Sequence, residues 1–318
     1  MHFSPFNDVL DMILAKYFHI SADAFKFHEG LPFGTLPSIV AASLGYVIVM
    51  MGGQEIMRGY QSFNLKYLIF LHNAIMSIAS GLLFMLILEP LVPMWQEHGL
   101  NFTLCHYDAY TPRLELFYYL NYLFKLWEFI DTGFMVLRKR PLEFLHVYHH
   151  SATAAFTYMF LVKPHPITWF AILMNLTVHV LMYYYYAVST VSKRKIWWKK
   201  HLTTMQISQF VLDLLMLAYV AYNVYTNEYF PWLKTDYGFK TLEYCTSVDP
   251  HTHLTVCAVI FGSYLILFLD FYVRSYNRAA AAKQVAAGAA RTNGKANHVN
   301  GHTNGHTSGN GSSFLKEE

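Results

Sequence analysis

The chain has 318 residues, 54% of them apolar and 14% charged, and a formal net charge of +3. A soluble globular domain carries about 25% charged residues, so this composition excludes a water-solvated globule and points to lipid as the solvent. A charge of +3 is too small to argue for nucleic acid, and no such partner is expected. Aromatic residues are abundant (24 Tyr, 25 Phe, 6 Trp), and Trp and Tyr collect at membrane interfaces.

Residues 1–34 carry Asp8, Asp11, Asp23 and Glu29. No basic stretch followed by a long apolar run is present there, so the segment does not read as a cleavable leader. A bilayer core needs about 20 mostly apolar residues per helix. Seven segments meet that need: 35–52, 67–88, 114–137, 144–162, 168–190, 202–225 and 253–272. The expected fold is therefore an all-α integral membrane protein with seven transmembrane helices in a domain spanning 35–276. The end of the chain, 277–318, is Ala-rich and then repeats Asn, Gly, His, Thr and Ser. Such a composition cannot bury a core, so it reads as a disordered tail. His298, His302 and His306 in it read as solvated rather than metal-binding.

Lysine and arginine in short loops set orientation. Arg138, Lys139 and Arg140 follow the third span, and Lys193, Arg194, Lys195, Lys199 and Lys200 follow the fifth. Arg58 and Lys66 follow the first, and Arg274, Arg278 and Lys283 the seventh. Seven spans put all of these on one side. The C-terminus is then cytosolic and the N-terminus lumenal. Cys105 and Cys245 fall in two loops on the lumenal side, an oxidising place, and are expected to form a disulfide. Cys257 reads as a small packed residue. Asn101-Phe-Thr, in one of these loops, has the pattern of a glycosylation acceptor.

Four consecutive spans carry polar stripes, and residues three and four apart share a helix face. The third holds Lys125, Glu128, Asp131 and Thr132; the fourth opens with His146, His149 and His150. The fifth holds Asn175, His179, Met182, Tyr183 and Tyr186, and the sixth Thr203, Gln206, Gln209 and Asp213. Charges at membrane depth are costly and turn inward to pair. One stripe could be interhelical glue; four together predict a buried polar chamber.

Three chemistries are open to these histidines. An HxxHH box also occurs in metal-dependent membrane desaturases and hydroxylases, whose di-iron centre draws histidines from several boxes. Here His146, His149, His150 and His179 are well placed, with His72 and His201 as distant candidates and no second box. A single zinc needs only three ligands and a water. Metal-free acyl transfer is the second option, because imidazole is a nucleophile that can carry an acyl group, and none of the cysteines falls near the cluster. A transporter or receptor is the third, although neither an inverted repeat nor paired broken helices are evident.

Four stretches carry a resemblance. They are Lys125-Leu-Trp-Glu128-Phe-Ile-Asp131-Thr132, His146-Val-Tyr-His149-His150, Asn175-Leu-Thr-Val-His179-Val-Leu-Met182-Tyr183-Tyr-Tyr185, and Thr204-Met-Gln206-Ile-Ser-Gln209-Phe210. In order and spacing they resemble the signature motifs of the very-long-chain fatty acid elongase (ELO) family, and the stretch from Pro141 to His146 looks most like fungal members. The resemblance implies an endoplasmic reticulum 3-ketoacyl-CoA synthase that condenses acyl-CoA with malonyl-CoA. It implies six of seven helices in a barrel around an acyl tunnel, and no metal or other cofactor. By motif position His149 is the nucleophile, His179 assists decarboxylation or proton transfer, and His146 and His150 orient or activate. Arg138, Lys139, Arg140, Lys193, Arg194 and Lys199 flank the mouth as candidate binders of CoA phosphates. Implied partners are ER lipid, a ketoacyl-CoA reductase, a dehydratase, an enoyl-CoA reductase and a second copy of the chain. Pro141 stands where relatives using polyunsaturated chains often have Gln, the pattern of saturated and monounsaturated substrates. The chain departs from many relatives in ending Leu315-Lys316-Glu317-Glu318 rather than in a dilysine signal.

Overall fold

The computed structural model describes residues 4–192, 196–242, 245 and 250–278. Lys193, Arg194 and Lys195, and the tail from residue 279, lie outside the described residues. All regular structure among the described residues is helical. In chain order the helices are α1 (Pro5–Ile13), α2 (Leu36–Ile56), α3 (Lys66–His98), α4 (Leu100–Cys105), α5 (Pro112–Trp127), α6 (Phe129–Leu137), α7 (Phe144–Val162), α8 (Thr168–Val191), α9 (Lys199–Tyr229), α10 (Trp232–Tyr237) and α11 (Pro250–Tyr272).

Five stretches are long and apolar enough to cross a membrane: Leu36–Gly59, Lys66–His98, Thr168–Val191, Lys199–Tyr229 and His251–Tyr276. This is the pattern of a multi-pass membrane protein. The expected third and fourth spans also form as helix, but they are less apolar. The fourth matches α7, whose 19 residues extend about 28 Å at 1.5 Å per residue. Its histidines and threonines lower its hydropathy.

The expected continuous third span is corrected. The helix breaks at Glu128, which sits between α5 and α6 with φ −60° and ψ −16°. There the ladder tightens, with the Asp131 N–H donating to the Glu128 carbonyl at 3.1 Å. Short 3₁₀ stretches inside a helix often mark functional positions.

The second span is also longer than expected. α3 runs through Pro90 and Pro93 to His98, ten residues past the expected end at 88. Pro90 has no N–H for the Leu86 carbonyl, and Asn7 Nδ2 donates to that oxygen instead at 3.2 Å. The Glu89 carboxylate accepts from the backbone N–H groups of Phe6 and Asn7, at 3.1 and 2.9 Å, at the start of α1. The N-terminal segment is thus built onto the proline-bearing part of α3. Arg113, at the start of α5, clamps it further through Asp11 and Asp23, with N–O distances of 2.9 and 2.7 Å. α2 opens with a capping box in which Thr35 and Ser38 serve each other's backbone N–H.

Two apolar clusters hold the helices together. One gathers Leu83, Ile87, Leu114, Phe117, Tyr122 and Leu176, from α3, α5 and α8. The other gathers Phe156, Phe160, Phe210, Leu217, Val224 and Phe261, from α7, α9 and α11. Cys105 and Cys245 are joined by a disulfide within the second cluster. Cys257 is buried there as a free thiol. Residues to Leu269 form one compact unit and Asp270 begins a second. In the second, Arg274 pairs with Asp270, and the Tyr272 and Tyr276 rings lie 5.1 Å apart.

Candidate active site

The centre of the site is a buried ammonium. Lys125 on α5 is 2% exposed. It donates to Glu128 Oε1 at 2.7 Å and to Asn175 Oδ1 on α8 at 2.6 Å, and lies 3.5 Å from His179 Nδ1. Glu128 Oε1 is in turn 3.1 Å from His179 Nδ1. A carboxylate can only accept. Nδ1 therefore carries the hydrogen, and Nε2 of the neutral imidazole is left with its lone pair. The break at Glu128 sets this geometry by turning the carboxylate between α5 and α8.

The stripe on α5 and α6 splits into two further networks. Asp131 does not join Lys125. It accepts from His72 Nε2 of α3 at 2.7 Å and from the Tyr183 hydroxyl of α8 at 2.6 Å. Trp127 Nε1 donates to His72 Nδ1 at 3.3 Å, which fixes the tautomer that gives Asp131 a proton. His72, read from sequence as a distant metal candidate, is thus a carboxylate partner. Thr132 is fully buried, its hydroxyl 2.8 Å from the Tyr46 hydroxyl and 3.0 Å from His146 Nε2.

α7 contributes its three histidines over adjoining turns of one side. His146 and His150 have ring centroids 4.4 Å apart. His150 Nδ1 lies 3.8 Å from Glu128 Oε2, too far for a hydrogen bond. His149 points elsewhere: its ring packs on Tyr264 and Phe268 of α11, with centroids 4.8 and 6.0 Å away. The Tyr264 hydroxyl shares a hydrogen bond with Thr153 Oγ1 at 2.8 Å.

His149 lines a cavity between α5, α7, α8, α9 and α11. Asn121, Lys125, Asn175 and Gln209 supply its polar wall, and Phe156, Phe160, Ile172, Phe210 and Phe261 its apolar wall. Phe160 lies eleven residues beyond His149 on α7, or roughly 16 Å along the helix. Between them Thr153 and Thr157 also line the space, so polar and apolar groups alternate along the α7 side. His146, His150 and His179 do not line it. Gln206 departs from the cluster as well, its Nε2 facing Met182 Sδ at 3.5 Å. Gln209 Nε2 faces Asp213 Oδ2 at 3.5 Å. Among the described residues, no three His, Cys, Asp or Glu side chains are arranged to hold a metal ion.

The basic candidates lie on loops. Arg138, Lys139, Arg140 and Lys199 are exposed. Lys139 is already engaged, its Nζ donating to the Arg58 and Tyr60 carbonyls at 3.2 and 3.0 Å. Lys193 and Arg194 fall outside the described residues.

Sequence reasoning missed His72 as the partner of Asp131, and missed Tyr46, Trp127, Asn121 and Tyr264. The available signal was a histidine in the otherwise apolar run of α3, since an ionisable residue at membrane depth implies a partner.

Comparison with known proteins agrees with the motifs. Residues 31–284 match the model of the GNS1/SUR4 (ELO) family. The Schizosaccharomyces pombe protein "Putative fatty acid elongase 1" is 35% identical over 277 residues, covering 84% of this chain and 78% of its own length. "Fatty acid elongase A" of Dictyostelium discoideum is 31% identical over 263 residues, covering 82% of this chain and 92% of its own.

Proposed function

The chain belongs to the GNS1/SUR4 family of fatty acid elongases, and from that premise we propose that it condenses a long-chain acyl-CoA with malonyl-CoA. The products are a 3-ketoacyl-CoA, carbon dioxide and free CoA. The observation that carries this reading is the cavity that His149 shares with Lys125 and Asn175, whose remaining wall is largely apolar. A thioester stopped at His149 leaves its alkyl chain among Phe156, Phe160 and Phe261, and each buried CH₂ contributes about 0.8 kcal/mol to binding.

In the first half-reaction His149 attacks the thioester carbonyl. A C–N bond forms, the C–S bond breaks, and the thiolate of CoA takes the proton given up by the acylated imidazolium. In the second, malonyl-CoA loses carbon dioxide, and the resulting enolate carbon attacks the acyl group. The C–N bond breaks, and His149 leaves with its electron pair and is reprotonated. His179 stands behind the cavity wall and assists decarboxylation or proton transfer in this step, its Nε2 left available by the hydrogen bond from Nδ1 to Glu128. His146 and His150 set the pose of the α7 face. No resident metal is required.

The proposal includes seven spans, six of them closing a barrel around the cavity. It places the enzyme in the endoplasmic reticulum membrane, with the N-terminus lumenal and the basic loops cytosolic. Arg138, Arg140 and Lys199, with Lys193 and Arg194, are the proposed contacts for CoA phosphates, and Lys139 a brace for the loop. A 3-keto product needs a reductase, a dehydratase and an enoyl reductase to become a longer saturated chain, so enzymes of those classes act next.

The test uses purified protein in detergent with a chelator present. Palmitoyl-CoA alone is expected to give a covalent acyl adduct by intact mass with release of CoA. The adduct should be absent in His149→Ala and should chase to 3-ketoacyl-CoA when malonyl-CoA is added. Malonyl-dependent condensation without any adduct would sink the acyl-imidazole; neither activity would sink the elongase reading.

A further inference from the structure

We infer that the side-chain amide of Asn175 is the oxyanion donor of the acyl-transfer step, a reading that rests on the function proposed above. When an imidazole adds to a thioester, negative charge collects on the carbonyl oxygen. A donor already aimed at that oxygen gives the largest single stabilisation in such reactions.

The polar groups lining the cavity are mostly committed. Thr153 Oγ1 is bonded to the Tyr264 hydroxyl, and Thr157 Oγ1 donates to the Thr153 carbonyl at 2.9 Å. Gln209 Nε2 is turned to Asp213. Lys125 commits two of its three N–H donors to Glu128 Oε1 and Asn175 Oδ1, and the protonated Nδ1 of His179 stands 3.5 Å from its third side. Asn121 carries an Oδ1 with no partner among the described residues, so nothing fixes which way its amide faces.

Asn175 differs from all of these. Lysine cannot accept a hydrogen bond, so the atom 2.6 Å from Lys125 Nζ must be the amide oxygen. The orientation of the amide is therefore decided by chemistry. Nδ2 faces away from the ammonium, and no acceptor for it is found among the described residues. Asn175 lines the same cavity as His149. A cation on the amide oxygen also polarises the N–H bonds and makes them stronger donors. Lys125 acts through Asn175 as a positioning residue, while its own charge is balanced by Glu128.

The experiment compares the rate of acyl-enzyme formation from palmitoyl-CoA in wild type and Asn175→Asp, followed by rapid-quench intact mass. Aspartate keeps an oxygen for Lys125 but removes the donor. The expected result is a rate lower by about 10²–10³-fold, with the dissociation constant for palmitoyl-CoA unchanged and a melting temperature lowered by the extra buried carboxylate; the uncharged Asn175→Ser, run beside it, should lose the rate without that added charge. Should the Asn175→Asp protein not fold, Asn175→Ser, whose hydroxyl stops short of the carbonyl, is read the same way. A folded variant that acylates at the wild-type rate overturns the inference and leaves the proposed function standing. So does a variant whose loss lies wholly in substrate affinity. A wild-type protein that forms no adduct at all overturns both.

Discussion

At the scale of single residues, the site is organised around one buried ion pair. Glu128 serves three neighbours: it neutralises Lys125, takes the Nδ1 hydrogen of His179 and faces His150. Removing one partner of a buried pair leaves the other as an uncompensated charge, at a cost of about 3–5 kcal/mol. Glu128→Ala is therefore expected to melt well below wild type in detergent. A melting temperature within a degree of wild type would mean that the Lys125 charge is satisfied elsewhere. The pairing of Lys125 with Glu128 was legible in the sequence, because the three-residue spacing and membrane depth both demanded it. The division of labour between Glu128 and Asp131 was not. Adjacent carboxylates read as one patch until the break at Glu128 sends them to different neighbours, and the partners Tyr46 and His72 lie on α2 and α3, far away in the chain.

At the scale of elements, segment type and order were largely legible from apolar length, whereas the ends were not. α3 continues past Pro90 because Asn7 satisfies the carbonyl that the proline leaves open; that partner lies 79 residues earlier, beyond the reach of local rules. The short connection between α7 and α8 carries a testable electrostatic feature. His165 is buried, with its Nδ1 accepting from the Ile167 N–H at 3.2 Å and its ring stacked 4.6 Å from that of His253. Burial, with His253 as a lesser cause, pushes its ionisation down to about 3. A histidine held neutral in the fold but free to protonate when unfolded, near 6.5, makes the unfolded state the better proton binder between those values. Its contribution is full above pH 6.5 and is lost as pH falls toward 3. The penalty is about 1.4 kcal/mol per pH unit. Thermal denaturation of wild type should shift downward from pH 7 to pH 5. His165→Asn, which keeps an acceptor without a titrating ring, should show a flatter profile. Parallel profiles would assign the acid sensitivity to other groups.

At the scale of the whole molecule, the sequence specified a helical membrane protein with a shared polar interior, and the described helices bring those stripes together. What it could not specify was which polar residues face the cavity and which only brace it, because that depends on how each helix is rotated about its axis. The cysteine pairing was inferred from sidedness alone, and Cys105 and Cys245 are bonded across 140 residues. Closing a loop of that length constrains the unfolded chain by an amount comparable to the 4.7 kcal/mol expected for about 100 residues. Cys105→Ser with Cys245→Ser is expected to lose about 2–5 kcal/mol of stability, read as an earlier melting transition. No change would mean that the packing of Phe160, Leu217 and Val224 suffices. The bond also does something that is independent of its energy. Residues 106–244 contain Lys125, Glu128, all three α7 histidines, Asn175 and His179, so the reactive machinery sits in a covalently closed ring, with α2, α3 and α11 attached from outside. A single protease cut in the loop at 138–143 would open the ring without splitting the molecule. The nicked protein would run as one species until reductant separates it, with Lys125 and Glu128 held to the bond from the Cys105 side and the histidines from the Cys245 side.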